Sequence, residues 1–357
     1  MEMLKSIVRR VKGAICIGII SITTSLGQDA NFSQFYNNPT YYNPSMTAIN
    51  GGYTVRLHAR NLWAPIPGRF NTYTASFEAE VLPRVGLGII GFSDVGGEGL
   101  LRTVSGMLSY AYRAVDTKSF TLQAGINGGV VSKYVDWDQF TFSDQLHEVQ
   151  GEVGPSTFIA PTAKNVLYAD FGAGISSRFN HISKKTGPYR QLMATIGFGI
   201  HHLSKPSDAF IIGYEYLPIK YTGHVKFDIL LGTYVLSPAV IYEHQNKFQT
   251  FSIGMSVQVK PINLGIWFRN RNYGLTLKNY DAFTFAIGTY LPIKNERDIK
   301  ITYSIDFTIS KLRSASFGSH ELSLIMNFNN RYLLKGRQMK LRSKSTYKCP
   351  VDFSGTR

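Results

Sequence analysis

The residues able to do chemistry are scattered along the chain. Of eight histidines, only His201 and His202 are neighbours. Adjacent residues on a strand point to opposite faces, so this pair is not expected to clamp one ion. No Cys–His spacing fits zinc. Of the two cysteines, Cys16 lies in an apolar run near the start and Cys349 close to the end. No G-x-S-x-G elbow, phosphate loop or dinucleotide fingerprint is present. The Gly-rich stretch 94-DVGGEGL-100 joins two strands and does not open a helix. These residues imply no catalytic set, no metal and no cofactor. What remains is a row of charges. Arg56, Arg60, Glu78, Glu80, Asp170, Arg178, Arg269, Arg271, Asp306 and Glu321 fall on the polar faces of alternating segments, mixed in sign, where they can pair or seat an inserted peptide or domain.

The elements that carry these charges alternate with period two. In 298-DIKITYSIDFTIS-310, Ile299, Ile301, Tyr303, Ile305, Phe307 and Ile309 share one face; Asp298, Lys300, Thr302, Ser304, Asp306, Thr308 and Ser310 share the other. The stretches 72–81, 167–179, 250–259 and 320–328 repeat the pattern. About 14 such segments begin near residues 53, 72, 85, 102, 119, 167, 190, 224, 237, 248, 262, 282, 298 and 319. A soluble sandwich would turn the apolar faces inward; a transmembrane barrel would turn them toward lipid. The segments reach the roughly 9–11 residues that a tilted crossing strand needs. Their polar rows mix Gly and charges, and aromatics stand near many strand ends. The expected fold is an all-β, antiparallel outer-membrane barrel of about 14 strands. Long connections face outward and short turns face the periplasm. The longest connection spans about 134–165.

Both ends depart from the alternation. Lys5, Arg9, Arg10 and Lys12 precede the apolar run Ile15–Ile22 and the small-residue site Ser25-Leu26-Gly27, so 1–27 reads as a signal peptide cleaved before Gln28. Residues 28–52 form an N-terminal segment at or in the periplasmic end of the barrel, 53–330 the barrel and 331–357 a basic tail. The segment 32-FSQFYNNPTYYNP-44 has neither helical nor strand period. Pro39 and Pro44 bias Asn38 and Asn43 toward extended conformations. Such a chain cannot face lipid with unpaired backbone groups. It is expected to plug the lumen, with Phe32, Phe35, Tyr36, Pro39, Tyr41, Tyr42 and Pro44 wedged against inward side chains. The net charge is +15, and much of it sits in the tail. There Arg337, Lys340, Arg342 and Lys344 form a candidate docking segment. Basic charge spread over a tail and alternating strands is a poor nucleic-acid face.

Four stretches together resemble the PorP/SprF family, outer-membrane components of the type IX secretion system. They are 28-QDANFSQFYNNPTYYNPSMTA-48, 60-RNLWAPIPGRFNTYTASFEAEV-81, 303-YSIDFTISKLRSASFGSHELSL-324 and Lys348-Cys349-Pro350. Ala30 stands where the family has Pro, and the tail runs on past the Cys-Pro pair. The resemblance implies a non-catalytic role in secretion or surface anchoring of large proteins, gliding adhesins among them. It also implies their partners: the C-terminal domain of a large secreted surface protein, the translocon, and peptidoglycan-linked periplasmic proteins, with outer-membrane lipid around the barrel. A passive channel for small solutes is the alternative reading of the barrel.

Overall fold

The computed structural model describes residues 29–63, 68–97, 100–147, 151–152, 154–159, 161, 163–182, 189–210, 216–259, 261–271, 280–293, 297–309 and 318–328. The expected signal peptide and basic tail, with Arg337, Lys340, Arg342 and Lys344, lie outside them.

Fourteen antiparallel strands close into a barrel. They are β1 (Tyr53–Leu62), β2 (Phe70–Leu82), β3 (Val85–Gly96), β4 (Leu101–Asp116), β5 (Phe120–Val135), β8 (Asn165–Ile182), β9 (Tyr189–His201), β10 (Lys220–Leu231), β11 (Tyr234–Gln245), β12 (Phe248–Val259), β13 (Ile262–Arg271), β14 (Tyr280–Ile293), β15 (Arg297–Thr308) and β16 (Ser319–Phe328). A small hairpin, β6 (Leu146–His147) with β7 (Gly151–Glu152), stands apart in the long connection between β5 and β8. Each barrel strand pairs with its neighbour in the chain. The ring is completed by β1 against β16, with Arg60 opposite Glu321 and Tyr53 opposite Phe328.

Burial separates a barrel from a sandwich. The apolar faces marked by the alternation are the exposed ones, and the polar faces are buried. Leu108 (67%), Leu167 (68%) and Ile126 (59%) point outward, whereas Arg56, Arg60, Glu78, Asp306 and Glu321 are buried. Only a lipid-facing exterior makes that inversion stable, since a soluble sheet would hide its Leu and Ile. Strand lengths of 10 to 18 residues suffice to cross.

The short connections β2–β3, β4–β5 and β10–β11, of two or three residues, lie at one end, called here the short-turn end. Gly232 supplies the positive φ (62°) that the β10–β11 turn requires. At the other end lie the longer connections and the two-residue turn at Asn246, also with positive φ.

The N-terminal segment fills the interior. It forms a 3-10 turn at Phe35–Asn37, one turn of helix α1 (Pro39–Tyr42) and a second 3-10 turn at Pro44–Met46. Both prolines open a helical turn, where their missing N–H is no loss. Asn43 takes the extended conformation expected before a proline, with φ −153° and ψ 111°, whereas Asn38 has ψ 53°. The segment also reaches beyond the expected mouth. Asn50 leads into β1 at the short-turn end, but Asp29 lies beside His202, Lys220 and Gln245, which belong to the opposite end.

Candidate functional site

The candidate site is the lumen wall with the segment it holds. Aromatic anchors come first. Phe32, Phe35 and Tyr42 are buried in one cluster with Ala239, Ile241 and Trp267 of the wall. Tyr36 stacks on Trp267 at 4.6 Å, and Tyr41 stacks on Phe92 at 5.8 Å. The hydroxyl of Tyr41 donates to Ala30 O and the backbone N–H of Phe32 donates to Tyr42 Oη, folding the segment on itself.

Gln34 is fully buried (0%). Its Nε2 donates to Ser304 Oγ (2.9 Å) and Glu321 O (3.1 Å); its Oε1 accepts from Asn37 Nδ2 (2.8 Å) and Ser323 Oγ (2.7 Å). Glu321 accepts from the backbone N–H groups of Ser33 (2.7 Å) and Gln34 (3.2 Å). Asp306 accepts from Ser33 Oγ (2.6 Å), Arg60, Arg269 and Thr284. Arg269 also reaches Ser33 Oγ at 2.8 Å and pairs with Asp281. Arg60 donates to Asn31.

Farther down, Lys300 donates to Asn37 Oδ1 (2.8 Å) and lies over the rings of Tyr36 and Tyr290. Thr40 and the backbone N–H of Ala48 both donate to Glu78, which also pairs with Arg56. Gln123 donates to Ser45 O and Thr47 O; Arg178 donates to Ile49 O and Asn50 Oδ1. Arg113 pairs with Glu80 and reaches Ala48 O and Ile49 O. Every buried polar group held this way avoids the cost of an unmet hydrogen bond in a low-dielectric interior.

The ten charged residues lie along the barrel strands around the chain's own residues 29–50. Of the ten, Arg60, Glu78, Arg178, Arg269 and Glu321 touch the segment directly, as does Asp306 through Ser33. Arg56 braces Glu78, Glu80 braces Arg113, and Arg271 stands behind Asp281 at 3.4 Å. Asp170 acts at the far end. It accepts from His202 Nδ1 (2.8 Å), and His202 Nε2 binds Asp29 (2.7 Å).

The expectation that His201 and His202 diverge does not hold. The strand stops at His201, and His202 has φ 60°. The turn brings both rings to the segment, with His201 Nε2 on Tyr42 O at 2.9 Å. Burial alone would discharge His202, but the carboxylates of Asp29 and Asp170 push its pKa up to about 10. Burial alone would likewise raise Asp29, but His202 and Lys220 hold it well below the usual carboxylate range.

Sequence reasoning did not foresee that wall glycines admit the backbone of the segment. A Cβ on Gly125 would lie 2.6 Å from Pro44 O, and one on Gly199 would lie 2.6 Å from Tyr42 O. Glycines within polar strand faces were the available signal, since they mark places where another backbone comes close.

The family model for the type IX secretion system membrane protein PorP/SprF matches residues 24–326. The chain belongs to the PorP/SprF family. It is an outer-membrane barrel, and its family is one of secretion components and not a known family of enzymes. No curated protein matches the chain in sequence. Among solved structures, a Pseudomonas aeruginosa FadL homologue is 11% identical, covering 82% of this chain and 94% of its own with a TM-score of 0.43. A TodX monoaromatic hydrocarbon channel mutant is 9% identical, covering 81% and 92%, with a TM-score of 0.44. The outer membrane phospholipase A from Escherichia coli is 12% identical, covering 63% and 80%, with a TM-score of 0.31.

Proposed function

We propose that this PorP/SprF barrel is a sealed, non-catalytic platform. It assists secretion or surface anchoring of large proteins, such as gliding adhesins, through their C-terminal signal domain. The observation that carries the reading is the filled lumen. The charges that could seat a foreign domain are satisfied by residues 29–50, from Glu321 and Asp306 at one end to Arg178 and Arg113 at the other. A passive channel needs an open path, and the segment stands in it. The partner domain is thus received at the rim of long connections. The basic tail 331–357, which follows the end of β16, turns to the translocon and to peptidoglycan-linked proteins of the periplasm.

A tagged copy purified from outer membranes tests this. A large surface protein should co-purify and be lost when its C-terminal domain is removed, and the purified barrel should not conduct in a planar bilayer. Steady conductance by the full chain, with no such protein captured, would overturn the proposal. Deleting 331–357 should leave the barrel inserted and lose the periplasmic partner alone; loss of insertion would refute the docking role of the tail.

A further inference from the structure

The contacts of residues 31–38 are concentrated on one part of the wall. The hydrogen bonds that these residues make with the wall fall on β1, β13, β15 and β16, with one further bond from Asn38 to Thr74 of β2, while the rings of Phe32 and Phe35 also belong to the cluster that includes Ala239 and Ile241 of β11. This is the seam where the barrel closes. β1 and β16 are the first and last strands of the ring, so their pairing is the longest-range contact in the fold and carries the largest loop-closure cost. The segment bridges it from inside. Arg60 of β1 donates to Asn31, Phe32 packs its ring 5.8 Å from His58 of β1, and Ser33 and Gln34 cap Glu321 of β16. Ser323 of β16 exchanges hydrogen bonds with Gln34 and Asn37.

The chemistry of the seam needs this bridge. The Glu321 carboxylate accepts from two backbone N–H groups of the segment, and Arg60 stands opposite it across the seam. With the segment absent, Asp306 would keep Arg60, Arg269 and Thr284, but Glu321 would lose the N–H groups of Ser33 and Gln34. A buried carboxylate stripped of its hydrogen-bond donors opposes closure.

We infer that residues 31–38 are an internal template for barrel closure. The segment binds β13, β15, β16 and β1 before β1 and β16 meet, and the β1–β16 seam forms over it. Sealing of the lumen is then the end state of an assembly step.

The order of events tests this. The chain from Gln28 onward, carrying Cys349→Ser, Asn37→Cys and Ser323→Cys, is refolded from urea into phosphatidylcholine vesicles under oxidising conditions. Asn37 Nδ2 and Ser323 Oγ stand 3.0 Å apart, so a cross-link there reports seating. Samples quenched over time are scored for the cross-link and for the faster gel mobility of the closed barrel. The cross-link should appear first. Closed barrel accumulating ahead of it would overturn the inference. In parallel, Gln34→Ala should slow closure about tenfold while changing the unfolding rate less, the signature of a contact already formed in the transition state. Loss confined to the unfolding rate would make Gln34 a late structural contact and refute the template. The cross-link readout decides the matter even if Gln34→Ala fails to fold.

Discussion

At the residue scale, a single amide does the most. Gln34 gives or accepts hydrogen bonds with Ser304, Glu321, Asn37 and Ser323 while wholly buried. Gln34→Ala should lower stability by about 1–3 kcal/mol in all, the cost of leaving buried polar groups without their partner. Thermal loss of gel-mobility shift measures it, and an unchanged transition would contradict the packing described. His202 carries a second prediction, about pH. Its pKa is raised in the fold from an ordinary 6.5 to about 10. Its contribution is complete below pH 6.5 and is lost as pH rises through about 10. Asp29 is lowered from 3.8, so its contribution is present above that pH and fades as pH falls further below it. The groups around the His202–Asp29 contact, Asp170, Lys220, Glu243 and His201, are part of the same charge set. Protection of the amides of residues 29–33, measured relative to their intrinsic exchange rate at each pH, should therefore be greatest between these limits and fall toward pH 10. His202→Asn should flatten the alkaline limb.

At the element scale, the segment and the wall are complementary in shape as well as charge. The inward faces of β5 and β9 are cut back to glycine where the backbone of residues 42–45 passes. Gly125→Val has no room, because even a Cβ would sit 2.6 Å from Pro44 O and Ser45 Cα. The strand itself can keep its ladder, since Val favours strands. The expected result is an inserted barrel with a displaced segment, read as protease sensitivity within 29–50 and as conductance where the native chain is closed. A protected segment in this variant would show that the wall yields instead. The same logic separates the plug from the strands: the segment's helical turns are too short to stand alone and are held by partners from the surrounding strands.

At the scale of the whole molecule, the fold is inverted relative to a soluble protein, with charges inside and Leu, Ile and Phe outside. The lipid face is continuous around β4, β5 and β8, where Leu108, Ile126 and Phe171 project. Ile126→Arg, near the middle of β5, should cost about 2–4 kcal/mol at the bilayer midplane. Insertion yield in vesicles checks this, while the inward change Thr121→Ser on the same strand should leave yield unaltered. The segment also gives the barrel polarity. It runs from the end of the long connections to the short-turn end, antiparallel to β1, so the first described residues lie at the rim where a partner is proposed to dock.

The local alternation of residues was enough to specify the strands, because a side chain in a strand can only point to one of two faces. Long period-two runs such as 298–310 therefore revealed strand number, crossing length and which charges share a face. Their membrane setting followed from the same runs and from the family stretches at 28–48, 60–81 and 303–324. The aromatic and proline-rich character of 32–44 marked a segment that could be neither a strand nor lipid-exposed. Tertiary structure alone decided how far that segment travels, that Gln34 is its centre and that His201 and His202 converge on it. These depend on positive φ at one residue, on glycines facing from separate strands, and on pairs such as Ser33 with Glu321 that lie at opposite ends of the chain. Local sequence fixes the direction of a side chain within its strand; the partner across the lumen exists only once the ring has closed.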